Sequence, residues 1–190
     1  VQVIHTPRGP VTLRPTAEAD AEAYRALRLE ALERAPSAFG ADYDQTLALP
    51  PEHWREQMRR GAGGPQGVTY VACAGADLVG IARLSCEETP KTRHYAHIYS
   101  VYVTPGWRGH RLAEALLEMC AAWAGAAGVR ALRLTVNATN TAALRCYLRC
   151  GFSVCGLEPE SLFWDGVYYD ELIMVRRLAG ARPAAGDLSQ

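Results

Sequence analysis

The chain is nearly devoid of lysine, with Lys91 the only one, and its 20 basic residues are balanced by 20 acidic ones to a formal net charge of +0. A neutral protein has no general electrostatic hold on nucleic acid or on an anionic membrane, since both select strongly basic surfaces. No apolar run approaches the length of about eighteen residues that a spanning helix needs, and the amino end, Val1 to Pro7, has no secretory pattern. These absences set the expectation of a cytoplasmic protein with no nucleic-acid and no membrane partner. There is also no Cys-x-x-Cys pair. Cys146 and Cys150 lie one helical turn apart without a neighbouring histidine to complete a zinc set, so no metal site is expected. Those two, with Cys73, Cys86, Cys120 and Cys155, read as small hydrophobes. The preference for arginine over lysine reads as lineage bias.

At 190 residues and 49% hydrophobic content, the chain can bury a core of one domain, expected over residues 1–178. Residues 179–190 are small, polar and unpatterned, and read as a disordered tail. Val11-Thr-Leu-Arg-Pro15 is a strand signal, and Thr16 is placed to cap a helix carrying Glu18 and Asp20 in its first turn. Tyr24, Leu27, Ala31 and Ala35 mark that helix's buried face, and Pro36 ends it. A turn-rich connection follows to Asp44, then a helix opened by Pro50 and Pro51, then a flexible turn from Gly61 to Gly67. Residues 68–73 and 78–84 read as a hairpin, and 152–157 and 167–176 as the last two strands around an Asp165-Gly166 turn.

Two blocks carry chemistry. The first runs from Val101 to Met119 and converts a strand into a helix through an arginine- and glycine-bearing turn. The opening N–H groups of a helix lack intrahelical partners and the peptide dipole favours negative charge there, so such a turn is a natural anion site. Arg108 and Arg111 add positive charge beside it. The second block, Leu132 to Phe152, reads strand, Asn-rich turn and short helix. Asn140, Ala143 and Tyr147 share one face of that helix, and Gly151 is placed to stop it.

In order and separation these blocks resemble the GCN5-related N-acetyltransferase (GNAT) superfamily. Arg108-Gly-His-Arg-Leu-Ala113 matches the family's pyrophosphate motif at Arg108 and Ala113, with Arg111 where the central glycine is usual. Asn140, Ala143, Tyr147, Gly151 and Phe152 match the later motif in full, and the resemblance extends from about Val11 to Leu178. It implies an α/β (α+β) fold: a mixed, mostly antiparallel sheet with helices on both faces and a splayed parallel pair, the family's fourth and fifth strands. It also implies acetyl-CoA as co-substrate, an amine acceptor, direct attack, and an assembly that admits a homodimer.

Site roles follow from the same resemblance. Backbone N–H groups across Gly109, His110, Arg111, Leu112, Ala113 and Glu114 would meet the pyrophosphate, with Arg108 and Arg111 as charge partners. Arg111 is expected inside the first helical turn at ordinary negative φ, so that its N–H survives the substitution. Val101 and Val103 would pair with the pantetheine arm, Asn140 would steady it, and an N–H near Val101 would face the thioester oxygen. Tyr147 would return a proton to the departing thiolate, since a phenol with a pKa of about 10 stays protonated at neutral pH. His97 stands at the position of the histone-type branch's base and reads equally as a structural histidine; Glu87 and Glu88 are the next candidates. The base position of the amino-terminal-acetylating branch holds Thr135, which cannot serve. Asp42 and Asp44 in the acceptor wall hint at a small cationic amine, with a peptide or protein amine also open. The different-class alternative is an acyl-CoA sensor or scaffold that keeps the fold without the chemistry.

Overall fold

The computed structural model describes residues 1–178, and the expected tail at 179–190 lies outside them. Eight strands form one sheet: β1 (Gln2–Thr6), β2 (Gly9–Pro15), β3 (Gly67–Ala74), β4 (Asp77–Cys86), β5 (Tyr95–Val103), β6 (Ala131–Asn137), β7 (Ser153–Trp164) and β8 (Val167–Arg177). Their spatial order is β1-β2-β3-β4-β5-β6-β8-β7, and only β5 and β6 are parallel. The helices are α1 (Ala21–Arg34), α2 (Tyr43–Leu47), α3 (Pro51–Gly61), α4 (Leu112–Ala126) and α5 (Thr141–Arg149). This is the mixed, mostly antiparallel α/β architecture expected above.

The helices divide between the two faces because their apolar stripes require it. On α4, Leu112, Leu116, Leu117, Cys120 and Ala124 recur at helical spacing and bury against Leu13, Leu84, Ala96 and Ile98. Each leucine so buried contributes about 1.5–3 kcal/mol. On the opposite face Tyr24, Leu27 and Ala31 of α1 and Trp54 and Met58 of α3 close over Val71, Ile81 and Tyr102. At the far edge, Asp165 at φ 48 and Gly166 at φ 76 make the two-residue turn that joins β7 to β8.

Four local expectations change. An additional strand, β1, precedes the first strand read from the sequence and pairs with β2 around a turn at Pro7-Arg8. Thr16 does not cap α1; it is buried, and its hydroxyl donates to the Met58 carbonyl at 3.3 Å. The Asp20 carboxylate instead reaches back to accept from the Ala17 N–H at 2.7 Å. The connection to Asp44 contains α2, capped by Asp42, whose Oδ1 accepts from the Gln45 N–H at 2.8 Å. The stretch from Gly61 to Gly67 is constrained at both ends. A Cβ on Gly61 would stand 2.7 Å from Thr16 Oγ1, and one on Gly67 would collide with the Leu84 carbonyl.

The feature that positions the site is the way β5 leaves its neighbours. Against β4, Tyr102 pairs with Ile81 and Tyr99 with Arg83, so Ser100 and Val101 together oppose Ala82. Ser100 sits at φ 54, a bulge that bends the strand. Against β6, pairing is confined to Tyr95, Ala96 and His97 opposite Ala131, Leu132 and Arg133. Beyond His97 the parallel strands part, leaving the β6-facing edge of β5 unpaired.

Candidate active site

The opening between β5 and β6 continues into a cleft of about 600 Å³. Val101, Tyr102 and Val103 form one wall, Arg108, Gly109 and Arg111 with Leu112 to Glu114 the turn and head of α4, and Asn140, Ala143, Cys146 and Tyr147 the face of α5. Arg34, Ala38 and Phe39, from the end of α1 and the segment after it, close the remaining side. Of the residues singled out from sequence, this cleft gathers Val101, Val103, Arg108, Gly109, Arg111, Leu112, Ala113, Glu114, Asn140 and Tyr147. His110 is not among its lining residues, and neither is His97.

The head of α4 is built by backbone geometry. Gly109 at φ 83 and Arg111 at φ 58, ψ 25 turn the chain so that α4 begins at Leu112. Arg111 is therefore the residue before the helix, in the left-handed region, and not inside the first turn at negative φ as expected. This conformation explains why glycine is usual there: a Cβ costs roughly 1–2 kcal/mol in the left-handed region. The Arg111 side chain is exposed. Arg108 turns back, donating from Nε to the Val103 carbonyl at 3.0 Å with its guanidinium 5.6 Å from the Tyr102 ring centre. The β1–β2 hairpin supports the same turn, since Arg8 Nη1 donates to the Gly106 carbonyl at 2.9 Å and Arg8 stacks on Trp107.

Charge in the cleft is one-sided. Arg34, Arg108, Arg111 and Arg149 line it, with Glu114 the carboxylate among the lining residues. Arg149 Nη2 donates to Glu114 Oε1 at 2.6 Å, which ties the end of α5 to the head of α4. Burial pushes the Glu114 carboxyl up, but the Arg149 hydrogen bond and the local backbone amide together hold it below the usual carboxylate range. The Tyr102 hydroxyl donates to Glu30 Oε1 at 2.9 Å, and burial together with that carboxylate pushes the Tyr102 phenol up to about 12.

Helix α5 is held at both ends by the motif residues. Asn140 Oδ1 accepts from the Ala143 N–H at 3.2 Å as the amino-terminal cap. At the other end Gly151, at φ 79, donates to the Leu148 carbonyl at 3.1 Å while Phe152 donates to the Tyr147 carbonyl at 3.0 Å. That pair of bonds is a Schellman stop. Tyr147 is 8% exposed, and burial pushes its phenol well above the usual tyrosine value, with the neighbouring Cys146 and Cys150 adding to the shift. Cys73, Cys120, Cys146 and Cys150 are buried, and burial raises the Cys120 thiol to about 12. Cys155 is exposed.

His97 lies on the last paired rung at the vertex of the splay, on the α1 and α3 side of β5. Its Nε2 is 3.2 Å from Glu87 Oε1, and its ring stacks on Tyr99 with centroids 5.9 Å apart. Glu88 is engaged elsewhere, accepting from Gln66 Nε2 at 2.7 Å. Thr135 is exposed on β6. Sequence reading passed over Arg28, Phe39, Arg83 and Tyr102. The available signal for the two arginines was a charged residue set inside an apolar stripe, Arg28 one turn after Tyr24 and Arg83 between Ala82 and Leu84.

A parallel strand pair opened by a bulge, beside a basic helix head and a buried phenol, defines an acyl-CoA-dependent acyltransferase. The chain belongs to the acetyltransferase (GNAT) family, whose model matches residues 20–152. It is 30% identical over 141 residues to the L-amino acid N-acetyltransferase AaaT of Escherichia coli strain K12, covering 70% of this chain and 83% of that one. Its fold matches that of a GNAT-family acetyltransferase from Streptococcus pneumoniae with a TM-score of 0.79 at 24% identity, over 88% of this chain and 99% of that one. A phosphinothricin acetyltransferase from Sinorhizobium meliloti, in complex with acetyl-CoA, matches with a TM-score of 0.76 at 21% identity over 93% and 94%. The protein is therefore an acyltransferase of this family.

Proposed function

We propose that the protein acetylates the primary amino group of a small molecule, a free amino acid, by direct attack on acetyl-CoA. The observation that carries this reading is the cleft, in which the unpaired edge of β5, the head of α4 and the Tyr147 phenol meet. The printed activity of the E. coli relative supports the acceptor class. Asp42, whose carboxylate caps α2, gives little support to a cationic acceptor.

In this mechanism the pyrophosphate rests on the N–H groups from Gly109 to Glu114, where dipole and arginine charge favour it. The pantetheine lies along Val101 and Val103 as an added strand, with Asn140 beside it. The Val101 N–H receives the thioester oxygen as negative charge develops there. The amine nitrogen forms a bond to the carbonyl carbon and the C=O electron pair moves to oxygen. Collapse of that intermediate restores the carbonyl and breaks the carbon–sulfur bond. Tyr147 gives its proton to the departing thiolate, the conjugate base of a thiol with a pKa of about 8.5, and the phenolate so formed is restored by the proton that the amide nitrogen sheds as the intermediate collapses. His97, with Glu87 on its Nε2, takes, directly or by way of water, the proton that the acceptor's ammonium group must lose before its nitrogen attacks.

Release of the coenzyme A thiol, followed across a panel of L-amino acids with N-acetyl products identified by mass spectrometry, tests the reading. Transfer to at least one amino acid is the expected result. Acetyl-CoA binding by calorimetry without thiol release from any amino acid or amine would overturn it and favour a sensor.

A further inference from the structure

We infer that Arg28, with Arg83 beside it, forms a subsite for a carboxylate carried by the acceptor. The inference rests on the acyl-transfer reading above and adds to it the anchor that sets substrate choice. Among the described residues, the fully buried side-chain nitrogen and oxygen atoms without a hydrogen-bond partner are Tyr24 Oη, Arg28 Nη1 and Trp54 Nε1. All three can donate. Tyr24 and Arg28 stand one turn apart on α1, and the Tyr24 and Trp54 rings are 6.2 Å apart, so the unmet donors share one region. Unpaired buried donors are costly, and a concentration of them with no unmet acceptor calls for an acceptor from outside.

The cationic member of this set lies one side chain behind the cleft wall. The Arg28 guanidinium lies 4.8 Å over the ring of Phe39, and Phe39 lines the cleft beside Tyr102. Arg83 projects from β4 on the same face, opposite Tyr99 of β5. It lines a neighbouring cavity with His53, Glu56 and Glu88, on the face of the sheet that α1 and α3 cover. Neither arginine takes part in an ion pair among the described residues. The surrounding carboxylates are committed elsewhere: Glu30 to Tyr102 and Arg34, Glu87 to His97, Glu56 to Arg59 and Arg60, Glu88 to Gln66. A partly buried guanidinium without an ion-pair partner is unfavourable in the free protein and is neutralised by an anion that accepts from it. A carboxylate matches the planar guanidinium fork, and an amino acid held there presents its amine toward the opening between β5 and β6.

The test compares a panel of L-amino acids with their carboxamides, measured by thiol release in the wild type, R28Q, R28K and R83Q. In the wild type the free acid of the best pair is expected to exceed its amide at least tenfold in kcat/KM. R28Q lowers kcat/KM for the acid about 100-fold, chiefly through KM, and brings acid and amide within a few-fold of each other. R28K restores part of the preference, since it keeps the charge without the fork. Equal use of acid and amide by the wild type, or an unchanged preference in R28Q, would overturn the subsite. Failure of every acceptor to release thiol would count against the reaction and leave the subsite to calorimetry. There, binding of the acids without the amides supports the subsite, and equal or absent binding overturns it. R28Q is also expected to melt at or above the wild-type temperature because it removes an unpartnered buried charge; a fall beyond about 5 °C would mark Arg28 as structural and overturn the proposal.

Discussion

Phe152 donates its backbone N–H to the carbonyl of Tyr147 at 3.0 Å and sets its ring edge-on against the Tyr147 ring, centroids 6.0 Å apart and planes at 63°. The Gly-Phe pair at the end of α5 thus does more than stop a helix. It fixes the height and tilt of the residue assigned the proton transfer, because the carbonyl and the ring of Tyr147 are both held.

Tyr147→Phe keeps that packing and removes only the hydroxyl. We expect kcat to fall about 100-fold, as for loss of a positioned general acid, with little change in KM for acetyl-CoA. Steady-state kinetics at saturating acetyl-CoA measure it. Because burial raises the phenol's pKa above its reference of about 10, the acid form persists across the usual assay range. An unchanged kcat in Tyr147→Phe would contradict the proton-transfer role, and an alkaline limb below about pH 9 that disappears in Tyr147→Phe would contradict the raised pKa.

Gly151→Ala meets only ordinary van der Waals contact, with Arg176 Nε 3.8 Å from the new Cβ, so its cost is conformational. At φ 79 a side chain loses about 1 kcal/mol of stability. Urea unfolding monitored by circular dichroism should show a lower midpoint with an unchanged m-value.

Arg111→Gly runs the opposite way. It relieves a left-handed residue at the head of α4 and should raise stability by about 1 kcal/mol while removing a positive charge from the anion site. Acetyl-CoA affinity, followed by calorimetry, should fall a few-fold and become less sensitive to salt, since an exposed charge acts through screened attraction. A variant both less stable and salt-insensitive to the same degree as wild type would show that the arginine is accommodated without strain.

Asp20 links stability to pH. Arg14 donates to both of its oxygens at 2.7 Å, and this bond, opposed by burial and aided by the Ala17 N–H, holds the carboxyl below its usual value. A folded pKa below the unfolded value of about 3.9 means the stabilisation is complete above that pH and is lost as pH falls toward the folded pKa. Asp20→Asn should cost about 2 kcal/mol at pH 7 and much less at pH 3, read from chemical unfolding at each pH.

Much of this was legible along the chain because it depends on neighbours in sequence. The Asp165-Gly166 turn, the start of α3 at Pro51, the cap at Asn140 and the stop at Gly151 are consequences of local dihedral preference and nearby hydrogen bonds. The paired motifs sufficed to point to the family, since they are short and contiguous. Thr16 misled because a hydroxyl suited to a cap found a stronger use: α3 passes close enough for it to reach Met58, 42 residues away. Arg111 misled because its place relative to the first turn of α4 is decided by backbone angles that the residue's identity opposes.

By itself, then, the sequence determined most of the elements, the turn that opens α4 and the α5 motif, all set by interactions within a few residues. Only the tertiary structure decided where β5 parts from β6, which carboxylates are already committed, and that Arg28 and Arg83, 55 residues apart, lie on the face covered by α1 and α3 without an ion-pair partner among the described residues. Proximity of that kind arises from packing distant apolar stripes on a common sheet, and no local propensity encodes which charges the packing will bring together.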